Sequence, residues 1–197
     1  LTALDALAHS LETAVSTRRN SFSSAYSREA FLHLSVAIEP VLKGEASASE
    51  RNSMLMGSAF AGLAIENSML GAAHASANPL TASCGLAHGH AVALMLPHVI
   101  GLNEEVPEAR DTYAHYGTLL SSCRGVDSGV RAWVEHLLAV ADLSPLEQCG
   151  VNADVFPELA EDATRQWTGQ FNPRSMKRQD FEILYECALR GATPQGM

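Results

Sequence analysis

His74 and His88 stand fourteen residues apart, and Asp5 and His9 stand four apart. Neutral imidazole is the commonest metal ligand, and a carboxylate oxygen complements it on a divalent ion. Residues four apart on a helix share a face, with Cβ atoms about 5–6 Å from each other, so Asp5 and His9 can aim at one target. The small-residue run Gly71-Ala72-Ala73 delivers His74, Asn78-Pro79 and Gly85 break the chain, and a second helical run begins near His88. The two imidazoles are therefore expected at facing helix ends joined by a tight polar connection. Taken singly, an Asp/His pair is a common helix-surface contact, and a histidine on an apolar helix is most often a core residue with its hydrogen bonds made. Taken together, Asp5, His9, His74 and His88 are expected to close on one divalent metal ion and leave an open coordination position.

These residues sit in segments that resemble a known family. DALAHSLET (Asp5 to Thr13), GLAIENSMLGAAH (Gly62 to His74), Asn78-Pro79-Leu80, HGHAVALMLPHVIGLN (His88 to Asn103) and FNPRSMKRQDFEILYECAL (Phe171 to Leu189) are similar to the C-terminal metal-binding part of the iron-containing (group III) alcohol dehydrogenases. That family is related to the dehydroquinate synthase-like superfamily. It uses an Asp and a His four apart and two further His fourteen apart to bind its metal, and the register here agrees. Many members carry a histidine at the position of Asn78, near the nicotinamide. Asn hydrogen-bonds but does not titrate, so residue 78 is expected to orient substrate rather than relay a proton, or to act only as a helix stop.

The elements that must position these groups read as helices throughout. Apolar residues follow the 3.6-residue period over 3–17 (Leu4, Leu7, Leu11, Val15), with Thr2 as a possible cap, and over 26–43 (Phe31, Leu34, Ile38), with Ser16 to Ser24 a loop between them. Met54 to Ile65 has no charge and many small residues, which suits a central helix packed on all sides; it is expected to run from Met54 to Ala73 and to carry His74 inward. Further helices read over 88–100, 107–122, 126–141, a short one after Pro145, then 152–167 and 180–190. No stretch alternates with period two. The expected fold is all-α, a bundle-like domain of about seven to nine helices spanning 1–197.

Composition narrows the function. The chain is 47% hydrophobic and 18% charged, with a net charge of −9, which describes a globular protein and disfavours nucleic acid as a partner. No apolar run reaches the roughly 20 residues of a membrane span. Cys84, Cys123, Cys149 and Cys187 are scattered singly, so reduced thiols and a cytoplasmic setting are expected. A candidate ligand stands at position 5 of a chain that opens Leu1-Thr2-Ala3, so the sequence is expected to be a fragment lacking an N-terminal nucleotide-binding domain.

The resemblance implies an NAD(P)-dependent alcohol dehydrogenase that interconverts an alcohol and an aldehyde or ketone. Iron(II) is favoured, zinc fits the same ligands, and NAD or NADP is expected to be held mainly by the domain outside this chain, since no Gly-rich phosphate loop follows a strand here. The expected partners are a small alcohol or carbonyl substrate, the nicotinamide and further copies of the chain. Two other readings remain open at this point: a metal-dependent lyase or cyclase of the dehydroquinate synthase type, and a non-catalytic helical interaction domain.

Overall fold

A computed structural model describes residues 1–190. Among the described residues there are nine α-helices, three short 3₁₀ turns and no strand. The helices are α1 (Thr2–Val15), α2 (Ser21–Leu42), α3 (Ala48–Glu66), α4 (Ala72–Cys84), α5 (His88–Asn103), α6 (Pro107–Arg124), α7 (Val130–Val140), α8 (Phe156–Arg165) and α9 (Arg178–Arg190). The all-α reading of the sequence is borne out.

The central element is α5. Every residue from Ala91 to Ile100 is buried, because the segment is apolar all round and can satisfy that only inside a shell of other helices. Helices α1, α4, α7 and α9 supply the shell. Leu4, Leu7 and Leu11 form the inward stripe of α1, each buried. On the far side α2 and α3 lie along one another, and Phe31 of α2 meets Tyr116 and Trp133 of α6 and α7 at ring-centroid distances of 4.7 and 5.6 Å.

The expected helix from Met54 to Ala73 is not formed. It stops at Glu66, and α4 starts afresh at Ala72. The reason lies in two small polar side chains that take the carbonyls of the last turn: Asn67 Nδ2 donates to Leu63 O at 2.8 Å and Ser68 Oγ to Ala64 O at 2.7 Å. Nor is α3 central, since Leu55, Met56 and Leu63 are exposed. The expected break at Asn78-Pro79 is also absent. Pro79 lies buried inside α4, where packing against α5, α8 and the 3₁₀ turn Trp167–Phe171 overrides its local preference. The helix instead ends at Gly85, whose φ of 71° is the left-handed conformation that stops helices. The connection between His74 and His88 is therefore itself a helix. The start of α2 also lies earlier than expected, at Ser21, because Asn20 caps it and exchanges side-chain and backbone bonds with Ser23.

Candidate metal centre

The starts of α1, α4 and α5 meet at one place. Asp5 is in the first turn of α1, His74 is the third residue of α4, and His88 opens α5. Close approach of α1 to α5 depends on Gly89: a Cβ there would lie 2.8 Å from Leu1 O. His9 follows one turn after Asp5 on the same face of α1.

The four predicted residues converge. Asp5 Oδ1 lies 3.3 Å from His74 Nε2, 3.5 Å from His9 Nε2 and 3.7 Å from His88 Nε2. His9 Nε2 and His74 Nε2 are 3.1 Å apart, with the rings stacked at 4.9 Å. Asp5, His74 and His88 each offer a ligand atom within 4.8 Å of the others, and His9 joins them through Asp5 and His74. Asp5 Oδ1 is sealed from solvent yet has no hydrogen bond of acceptable geometry among the described residues, although three imidazole nitrogens crowd it. Ligand atoms about 2.1 Å from a shared ion in a tetrahedral array lie about 3.4 Å apart, so the spacing and the donor set both fit a divalent metal.

Glu12, which the sequence reading passed over, positions His74. It is buried at 2% exposure on α1, with Oε2 2.5 Å from His74 Nδ1. Its other oxygen accepts the backbone N–H groups of Ala73 (2.7 Å) and His74 (3.4 Å). The N-cap residue of α4 is Gly71, which has no side chain to cap it, so the helix's free N–H groups must be satisfied from elsewhere. Glu12 takes two, and Asn172 Oδ1 takes that of Ala72 at 3.3 Å. The positive end of the α4 dipole also favours a carboxylate there. Gly71 makes the approach possible: a Cβ would stand 2.9 Å from Asn172 Oδ1 and 3.2 Å from Glu12 Oε1. Asn172 is in turn paired with Asn103, which anchors the tail segment to α5. A sequence signal for Glu12 existed, because Asp5, His9 and Glu12 fall at helical positions i, i+4 and i+7, one face of α1.

Electrostatics follow from this packing. Burial alone would raise the Asp5 carboxyl, but contact with His74 and the fields of His9, His74 and His88 outweigh it and hold it below its ordinary value. Burial, and then the neighbouring His74, push His9 below its ordinary value. Burial would likewise lower His74, but the Glu12 charge and the Asp5 contact raise it to about 9 in the metal-free chain. Glu12 accepts the Nδ1 proton, which leaves Nε2 facing Asp5, His9 and His88.

Asn78 lies one turn beyond His74 on α4, and its Nδ2 donates to Gln166 Oε1 at 2.9 Å. His90 turns away and meets Ser144 O at 2.8 Å, a structural role.

The sequence of residues 1–189 matches the family described as "Fe-containing alcohol dehydrogenase family, C-terminal". The chain is 26% identical over 193 residues to 1,3-propanediol dehydrogenase of Klebsiella pneumoniae, covering 95% of this chain and 50% of that one. It is 31% identical over 203 residues to 1-propanol dehydrogenase PduQ of Citrobacter freundii, covering 95% and 54%. The solved structure of a 1,3-propanediol oxidoreductase superposes with a TM-score of 0.86 at 27% identity, covering 95% of this chain and 50% of that one. The chain thus spans about half the length of the curated relatives it matches. It belongs to the Fe-containing alcohol dehydrogenase family, of which it carries the C-terminal, helical part.

Proposed function

We propose that Asp5, His9, His74 and His88 hold one divalent ion, iron(II) in preference to zinc, within an NAD(P)-dependent alcohol dehydrogenase. The observation that carries this is the convergence of three imidazole nitrogens on an Asp5 oxygen that is sealed from solvent and has no hydrogen bond of acceptable geometry among the described residues. The chain would form one helical domain and share its cleft with a nucleotide-binding domain outside it, as its half-length match to the relatives suggests. Relatives named for dehydrogenation of propanol and propanediol support a small alcohol, or the matching aldehyde or ketone, as substrate. Among the described residues no helix is long and apolar enough to cross a membrane.

Bound there, the ion would supply a Lewis acid for the alcohol or carbonyl oxygen, and a nicotinamide would supply the hydride chemistry. The chain's own residues prepare the site. Glu12 holds the Nδ1–H side of His74 and fixes the ring's orientation, so an ion would displace the proton from Nε2. His74 and Glu12 are almost wholly buried, so water has little access to that side, while His88 is the more open of the candidate ligands. Asn78, tethered through Gln166, holds no titratable proton; its role is to orient substrate.

The test is substitution of His74 or His88 by Ala in the full-length protein, with metal content and turnover measured together. Both should fall in each variant. Full metal occupancy with normal turnover in either one would remove that residue from the ligand set.

A further inference from the structure

A second pocket lies away from the metal centre, between α5 and α7. His98 stands in its wall, ten residues and about 15 Å along α5 from His88. The pocket measures about 550 Å³ and its walls are largely apolar, formed by Leu94, Pro97, Leu138 and Leu143. That size suits a small organic molecule.

His98 is the anomaly. It is 6% exposed, and Nδ1 is sealed from solvent without a hydrogen-bond partner among the described residues. Nε2 likewise has no partner among them, and with Nδ1 sealed it is the nitrogen left to meet the pocket that His98 lines. Buried polar side chains in folded proteins are nearly always hydrogen-bonded, so a partnerless imidazole in a pocket wall calls for a missing partner. The ring is also kept neutral. Burial lowers its pKa to about 4, and Arg131 reinforces the shift. That guanidinium lies over α5, where a Cβ at Gly101 would meet Nη1 at 2.6 Å.

We propose that this pocket binds an uncharged, mainly aliphatic molecule through a hydroxyl group hydrogen-bonded to His98 Nε2. The hydroxyl suits either neutral tautomer, because it accepts from an Nε2–H and donates to an Nε2 lone pair. The aliphatic part would cover the leucine and proline walls. Glu135, paired with Arg131 at 3.3 Å, and Asp142 also line the pocket, and neither offers a free cation to a carboxylate ligand. The proposal stands apart from the metal centre and does not depend on the dehydrogenase reading.

The probe is tert-amyl alcohol, whose carbinol carbon carries no hydrogen and so cannot give up a hydride. It is titrated into the full-length protein while the methyl signals of Leu94 and Leu138 and the His98 ring signals are followed by NMR. Saturable shifts at all three positions are expected. His98→Phe keeps an apolar ring in the wall and removes the hydrogen bond; the Kd read from the leucine methyls should rise about tenfold. Ala139→Phe places bulk at an exposed position in the same wall and should abolish the shifts without disturbing the fold. The proposal is overturned if no signal moves up to the solubility limit, if His98→Phe binds the alcohol as tightly as the parent, or if Ala139→Phe leaves the shifts unchanged.

Discussion

The helices that meet at the candidate metal centre and the helices of the α2–α3 pair begin in opposite ways. Helices α2 and α3 are finished locally: Asn20 and Ser23 exchange bonds at the start of α2, and Ser47 and Glu50 do the same at the start of α3. In helices α1, α4 and α5 the N-cap residue gives no side-chain hydrogen bond. The free N–H groups of α4 are satisfied by Glu12 from α1 and Asn172 from the tail. A locally capped helix can form its first turn before the rest of the molecule is in place. The start of α4 is complete only when α1 and the 172 segment have docked, so the ligands are positioned by the same contacts that close the fold. Geometry at the site is thereby coupled to global stability, while the α2–α3 pair is free to present Leu55, Met56 and Leu63 outward.

The largest way to break this contrast is Glu12→Ala. It strips a buried partner from His74 and two acceptor contacts from the start of α4. Removing one member of a buried pair costs about 3–5 kcal/mol, to be read from denaturant unfolding of the metal-free protein. Metal affinity should fall about 10–100-fold, since Glu12 orients a ligand rather than being one.

A contrast between two buried histidines sharpens the point. His74, between two carboxylates, is raised to about 9, whereas His98 is lowered to about 4 by burial, reinforced by Arg131. The sign for His98 follows from linkage. Its folded pKa lies below the unfolded value of about 6.5, so the unfolded chain binds the extra proton between those values. Its contribution to stability is complete above about pH 6.5 and is lost as pH falls toward about 4. The loss is on the order of 3 kcal/mol across that window. His98→Phe should flatten the stability profile there, as thermal or denaturant unfolding at stepped pH will show; an unchanged acid limb would contradict the assignment.

The smallest effect belongs to the locally capped side. Asn20→Ala should cost about 1 kcal/mol, the usual loss of an N-cap, and leave metal affinity unaltered. Parallel unfolding and metal titrations of this variant and Glu12→Ala would show whether capping and ligand placement separate as described.

How far the sequence could be read follows the same divide. The apolar period of α1 and the Asp5/His9 spacing are local, so both were legible. His74 and His88 were legible through their fourteen-residue register and flanking segments, although the chain between them is a helix and not the expected turn. Pro79 misled because burial against several elements outweighs a local helix-breaking preference. The long helix expected to end at His74 misled in the other direction: Asn67 and Ser68 look compatible with helix until their side chains are seen bonded to Leu63 and Ala64. Asn172 and Gln166 could not be found from pattern, since each meets its partner across 69 to 100 residues of chain.

The most direct test of the metal-centre account is a cobalt(II) titration of the metal-free full-length protein, followed by visible ligand-field absorption and by unfolding at each point. The account predicts saturation at one ion per chain, with absorption bands of the intensity expected for low coordination by nitrogen and oxygen. Stability should rise with free metal, by about 2.7 kcal/mol at a hundredfold excess over Kd. Asp5→Asn and His74→Ala should each lose the saturable signal. Featureless absorption with no gain in stability, or an unchanged titration in both variants, would contradict it.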